Sequence, residues 1–222
     1  MSRPAPRDRL GPWWRAGLIL LAPLLRLAFR IRVLDAGRIP PAGPAVLAAN
    51  HVSALDGILL AFLAAERGRP VRFLVAAEFF RRPLHGFVLR RFRQIPVRRG
   101  ERDQRAIEEA VAAVRAGALA GIFPEGRVNP DPDGPLQEGR TGVARVALAA
   151  GAPVVPVGIW GPQRRWPRSG LRLDRPLRVP VTMALGEPLA PSGDPLHQDD
   201  LERFRDRVMA GIAAQVERAR RG

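Results

Sequence analysis

A histidine and an aspartate five positions apart, His51 and Asp56, are the residues of this 222-residue chain best suited to chemistry. On one continuous helix that spacing separates the side chains by about 140°, and they cannot meet. If a helix instead begins at Ser53, His51 stands in the loop before it and Asp56 in its first turn, where the two side chains converge. The carboxylate then accepts the proton of one imidazole nitrogen, fixes the tautomer, and leaves the other nitrogen free as a general base. Two plainer readings use the same residues. Ser53-x-x-Asp56 is a capping-box pattern that serves only to start a helix, and a histidine at a strand end can simply be solvated. A second constellation, Gly121-Ile122-Phe123-Pro124-Glu125-Gly126-Arg127, presents a carboxylate and a guanidinium around a tight turn at Gly126. Arg98 and Arg99 follow a third apolar run.

The elements that must position these groups alternate between apolar runs and helix-period segments. Strands are expected at Ala45 to Ala49, Val71 to Ala76, Gln94 to Arg98, Leu119 to Phe123 and Val154 to Trp160. Helices are expected at Leu55 to Glu66, Leu84 to Arg91 and Asp103 to Ala116. A further helix is N-capped by Thr141 and stopped by Gly151 after Ala150, and the last runs from Asp200 to Arg220. Leu171 to Leu185 reads as a pair of strands. The alternation predicts an α/β fold with a mixed, largely parallel sheet flanked by helices. In such sheets ligands bind at the carboxyl ends of strands, where the His51, Arg98-Arg99 and Glu125-Arg127 segments all arrive.

Composition narrows the chemistry. The net charge is +15, and every one of the 36 basic residues is Arg. Without Lys there is neither a Walker A phosphate loop nor a Schiff-base amine. Without Cys there is no thiolate nucleophile, disulfide or Cys-based zinc site. His51, His85 and His197 are too scattered to suggest a multi-histidine metal centre; no metal is expected, and the last two read as structural or solvent-facing. The basic excess calls for an anionic partner: nucleic acid, an anionic membrane surface or a phosphorylated small molecule. Arg81 to Arg105, with Phe87 and Phe92, is the stretch that a nucleic-acid binder would use. It carries no recognisable recognition helix or aromatic strand pattern, and no nucleic-acid partner is expected.

Residues 1–38 form a basic, amphipathic segment ahead of a main domain at 39–222. Within it, Trp13 to Arg32 is read as one helix, kinked at Pro23. Its apolar run is about half of the ~20 residues that span a bilayer. Arg15, Arg26 and Arg30 share one side while Leu18, Leu21, Leu25 and Phe29 occupy the rest, which suits a helix lying in a membrane interface. A cleaved signal is disfavoured by Arg26, Arg30 and Arg32, which stand where the cleavage region would be.

At the motif residues the resemblance becomes specific. NHVSALD resembles the N-H-x4-D motif of the 1-acyl-sn-glycerol-3-phosphate acyltransferase family. IPVRR, FPEGR and PVVPV are similar to its arginine, F-P-E-G and proline-strand motifs, in family order and spacing, over roughly Arg38 to Pro162. The resemblance implies a glycerolipid acyltransferase-like fold docked on a membrane by its N-terminus. It implies His51 as catalytic base, Asp56 as its partner, Arg99 as phosphate ligand, and Glu125, Gly126 and Arg127 at the acceptor site. It implies no cofactor, with acyl-CoA or acyl carrier protein as co-substrate and a lysophospholipid as acceptor. The expected location is peripheral or monotopic on the cytoplasmic face of the cell membrane, against anionic lipids. Arg93, Arg98 and the direct Gly126-Arg127 junction depart from the family pattern. The alternatives are an acyltransferase of the same fold acting on another lysolipid or glycolipid acceptor and, from another class, a non-catalytic basic lipid-binding protein.

Overall fold

A computed structural model describes residues 8–98, 103–175 and 177–222. Helix α1 (Pro12–Ala28) runs directly into strand β1 (Phe29–Leu34). Strand β2 (Ala45–Ala49), helix α2 (Asp56–Glu66) and strand β3 (Val71–Ala76) follow. The short α3 (Ala77–Phe80) and α4 (Pro83–Arg91) lead to β4 (Ile95–Val97) and α5 (Gln104–Arg115). Then come β5 (Leu119–Ile122), α6 (Gly142–Ala150), β6 (Val154–Trp160), β7 (Val179–Leu185) and the long α7 (Gln198–Arg221).

The seven strands form one sheet in the order β1-β7-β6-β2-β5-β3-β4. From β6 to β4 all neighbours are parallel, whereas β7 pairs antiparallel with β6 and carries β1 parallel to itself. The central strand β2 is AVLAA, with every residue buried. Its alternation splits the core: Ala45, Leu47 and Ala49 pack towards α1 and α2, while Val46 and Ala48 face α5, α6 and α7. Pro156 is tolerated within β6 because it lies just outside the stretch that pairs with β7. Its missing N–H faces that open side, and its carbonyl accepts from the Gly186 N–H.

Three expectations are corrected. The N-terminal helix stops at Ala28, and Phe29 to Arg32 belongs to β1. Phe29, Ile31 and Val33 pack on the core while Arg30 and Arg32 point outwards, an alternation of period two that pairs with β7. Leu171 to Leu185 holds one strand, β7, among the described residues. Thr141 precedes α6 but makes no side-chain cap, although Gly151 ends that helix in the left-handed region as expected.

Helix α1 buries little: Leu25 is buried and Leu18 and Ala22 pack on the core, while Ile19, Leu20, Leu24 and Leu27 are exposed. Its N-terminal turn docks on the end of α4, with Trp13 edge-on to Phe87 and Trp14 edge-on to Phe92 at 4.9 Å between centroids. Arg26 pairs with Glu66 of α2 at 2.7 Å. Among the described residues no helix is long and apolar enough to cross a membrane.

Candidate active site

Strand β2 ends because Asn50 turns its side chain into the sheet. The Asn50 amide donates to the Ile159 carbonyl at 2.9 Å and accepts from the Ile159 N–H at 2.7 Å, which ties the end of β2 to β6. The chain then turns sharply, and Asp56 becomes the first residue of α2. One carboxylate oxygen of Asp56, Oδ2, accepts from the Val52 N–H and the Ser53 N–H, both at 2.7 Å, and meets His51 Nδ1 at 2.9 Å. The backbone donors leave that oxygen only an acceptor's role, so the hydrogen sits on Nδ1 and Nε2 keeps its lone pair. The expected pair is thus present, but Ser53 does not cap the helix by its hydroxyl. That group donates to the Trp166 carbonyl and accepts from the Leu55 N–H.

Burial sets the electrostatics. Asp56 is wholly buried, and its second oxygen, Oδ1, has no hydrogen-bond partner among the described residues. Desolvation pushes its carboxyl above the ordinary value, opposed by the bond from His51 and the two backbone N–H groups. His51 is one-fifth exposed, and its ring stacks on Phe123 at 4.3 Å, which itself stacks on Phe73 at 5.7 Å. The imidazole plane is therefore fixed by the pair and by an aromatic wall.

The backbone of His51 is held from both sides by the 123–137 segment. Glu125 Oε1 accepts the His51 N–H at 2.8 Å, and the His51 carbonyl accepts the Asn129 N–H at 2.6 Å. Glu125 Oε2 takes the Gln137 N–H at 3.1 Å, so both oxygens of this buried carboxylate serve backbone donors. Burial raises the Glu125 carboxyl above its ordinary value, and those two hydrogen bonds oppose the shift. Gly126 has φ +70°, which closes the turn under Phe123.

His51 opens onto a cleft of about 1030 Å³. One part is apolar, walled by Trp14, Leu18 and Leu21 of α1, Ile58 and Phe62 of α2, and Val88 and Phe92. The other part is polar and carries Arg98, Asp103, Arg140, Thr141 and Arg145. The Asp103 carboxyl lies below its usual range, chiefly because it accepts the Arg98 N–H.

The structure brings His51, Asp56, Glu125 and Gly126 together. Arg99 lies outside the described residues. Arg127 is exposed, donates from Nε to Gln137 Oε1 at 2.6 Å, and does not line the cleft. Sequence reasoning missed the supports Asn50, Phe73, Asn129 and Gln137, and it missed Arg140 and Arg145 in the polar wall. Asn50 had a visible signal in its place beside His51; Arg140 had only its position ahead of a helix start.

An imidazole positioned by a buried carboxylate, on a cleft lined by apolar side chains and by arginines, has the chemistry to accept a proton from an amphiphile bearing an anionic headgroup. Comparison with known proteins shows the family. The family model "Acyltransferase" matches residues 30–160. The chain belongs to the acyltransferase family. The acyltransferase motifs noted in the sequence all fall in this matched region.

Among its acyltransferase relatives, the lyso-ornithine lipid O-acyltransferase of Pseudomonas aeruginosa is 35% identical over 154 residues, covering 69% of this chain and 54% of that protein. The chain thus spans about half that relative's length. The 1-acyl-sn-glycerol-3-phosphate acyltransferase of Bacillus subtilis is 24% identical, over 88% of this chain and 89% of that protein. The fold matches the crystal structure of the 1-acyl-sn-glycerophosphate acyltransferase of Thermotoga maritima with a TM-score of 0.73 at 23% identity, covering 92% of this chain and 78% of that one.

Proposed function

We propose that the chain transfers an acyl group from the thioester of acyl-CoA or acyl carrier protein to a hydroxyl of a lysophospholipid, with 1-acyl-sn-glycerol-3-phosphate as acceptor and phosphatidic acid as product. The observation that carries this reading is the His51–Asp56 pair at 2.9 Å, on a cleft lined by apolar side chains and by Arg98, Arg140 and Arg145. Nε2 takes the hydroxyl proton as that oxygen attacks the thioester carbonyl. The tetrahedral intermediate collapses with cleavage of the C–S bond, and the thiolate leaves with the proton held by the imidazolium. Asp56 stabilises that imidazolium through Nδ1. General-base assistance of this kind is worth roughly 10²- to 10⁴-fold.

The apolar channel has the character to receive a hydrocarbon chain, and the resemblance assigns the acceptor phosphate to Arg99. The exposed Ile19, Leu20, Leu24 and Leu27 of α1 support docking on a bilayer, with the surrounding Arg residues against anionic lipid on the cytoplasmic face. A second reading keeps the reaction and changes the acceptor to another lysolipid, favoured by the 35% identity to a protein named for a lyso-ornithine lipid.

The test is purified wild type and His51→Ala assayed against a panel of lysophosphatidate, other lysophospholipids, lyso-ornithine lipid and glycolipids with one acyl-CoA. Transfer by wild type and its loss in a folded His51→Ala protein is the expected result. Near-normal turnover by the variant overturns the base assignment, and wild-type preference for lyso-ornithine lipid overturns the acceptor.

A further inference from the structure

The cation that follows the F-P-E-G turn, Arg127, is turned away from the cleft and occupied by Gln137. The guanidinium beside that turn comes from further along the chain, at Arg140. The Arg140 N–H donates to the Pro124 carbonyl at 2.9 Å, which anchors its backbone on the turn that carries Glu125. Its side chain then lies directly over Gly126: a Cβ added there would stand 3.0 Å from Arg140 Nε and 3.3 Å from Cζ. Gly126 therefore has two roles, a positive φ and an open face across which the guanidinium passes. Arg145, in the first turns of α6, lines the same cleft as His51.

Neither guanidinium makes a side-chain hydrogen bond or ion pair among the described residues. Their setting also breaks a local rule. The positive end of a helix favours acidic residues, yet the first turn of α6 contains none and is bracketed by these two cations instead. Arg98 shares the wall, and Asp103, the one acid among the described residues that line the cleft, already accepts the Arg98 and Ala106 N–H groups. Two guanidinium groups without a side-chain partner, the exposed Arg140 and the half-buried Arg145, on one cleft are a violation of the kind that an incoming ligand resolves.

We propose that Arg140 and Arg145 contribute a subsite for the phosphate of the acceptor headgroup, distinct from the role that the resemblance assigns to Arg99, and set the preference for an anionic acceptor. The inference rests on the acyl-transfer reading above. The ligand chemistry is a phosphate monoester, which occurs in the lysolipid headgroup and also in coenzyme A; the subsite is assigned to the headgroup because Arg140 adjoins the turn that holds His51. A guanidinium suits this task through paired, charge-assisted N–H donors.

The experiment measures acceptor and donor KM separately, in mixed micelles, for wild type, Arg140→Gln, Arg145→Gln, Arg140→Lys and Arg127→Gln. With 1-acylglycerol-3-phosphate, Arg140→Gln and Arg145→Gln should each raise acceptor KM on the order of 10- to 100-fold, the loss of a hydrogen bond to a charged group. The acyl-CoA KM should not move. With a monoacylglycerol of the same chain length, which has no phosphate, the variants should match wild type, and Arg140→Lys should recover part of the loss. Phosphorus NMR titration of lysophosphatidate into His51→Ala and His51→Ala/Arg140→Gln proteins reads the same subsite without turnover. Unchanged acceptor KM, an equal loss on the uncharged acceptor, a rise confined to acyl-CoA, or a larger effect of Arg127→Gln each overturns the proposal. An inactive wild type defeats the underlying reading instead, whereas an active wild type with indifferent variants defeats only this subsite.

Discussion

Replacing Asp56 by asparagine tests the mechanism at one atom. Three groups converge on Oδ2, the N–H groups of Val52 and Ser53 and His51 Nδ1, while Oδ1 is buried without a partner among the described residues. In Asp56→Asn the side-chain amide must place its oxygen where Oδ2 stands, because an NH2 there would face two backbone donors. The tautomer of His51 therefore stays correct and Nε2 remains a base. What disappears is the charge that stabilises the imidazolium during transfer. With charge centres about 4 Å apart and an effective dielectric of about 20, that attraction is about 4 kcal/mol. It corresponds to about a 10³-fold loss of kcat, with acceptor KM unchanged.

Stability should not follow activity. Burial raises the Asp56 carboxyl in the fold, so the folded protein holds this proton more tightly than the unfolded chain. The ionised group therefore subtracts from stability, increasingly as pH rises from the unfolded value of about 3.9 to the raised folded value, and by a constant amount above it. Asp56→Asn removes that cost but places its NH2 at the buried, unpartnered Oδ1 position, so its Tm at neutral pH should stay close to that of wild type. Steady-state kinetics and a thermal melt on the same preparation decide the matter. A variant with more than a tenth of wild-type kcat refutes the imidazolium argument. A Tm well below wild type refutes the burial argument and makes the loss structural.

Glu125→Gln should lower kcat while leaving acceptor KM within about threefold, because one of the two backbone N–H groups then faces an amide donor, a loss of roughly 1–3 kcal/mol. A kinetic defect confined to acceptor KM would move Glu125 from positioning His51 to touching substrate. Gly126→Ala forces a side chain into the φ +70° region and against Arg140; a denaturant melt should show a loss of roughly 1–2 kcal/mol, and acceptor KM should rise with it. Leu20→Glu/Leu24→Glu replaces two exposed residues of α1, so the melt should be unchanged while sedimentation with anionic vesicles falls at least tenfold. Undiminished sedimentation would remove α1 from the docking surface.

The fold was legible where local pattern and tertiary demand coincide. β2 and β6 occupy the expected residues because strands buried on both faces read as unbroken apolar runs, and β3 does so despite Arg72 within it. β1 was hidden by a coincidence of spacing. Arg26 and Arg30 fall on one helical face, which extends the helix on paper, whereas Phe29, Ile31 and Val33 are claimed by Val179, Val181 and Met183, about 150 positions away. Nothing near Phe29 announces that partner. The His51–Asp56 pair was legible for the opposite reason. Both residues lie on one loop-to-helix junction, and the spacing alone excludes a continuous helix and permits the turn.

The arginines show where motif reading stops. A motif gives the residue type at the turn, and Arg127 has the type that an anion needs. Its direction is set by the return of the chain: the segment after Asn129 folds back so that Gln137 meets both Glu125 and Arg127, through its N–H and its side-chain oxygen. That one residue draws Arg127 outwards while fixing the carboxylate that holds His51. The same return delivers Arg140 to the Pro124 carbonyl and lays it over Gly126. Gly126 serves that arrangement by its φ of +70° and its open face. Positive charge carried wholly by Arg hides such a difference, since every candidate has the same chemistry and only position separates them. Kinetics of Arg127→Gln against Arg140→Gln therefore reads a difference in placement that composition and motif leave equal.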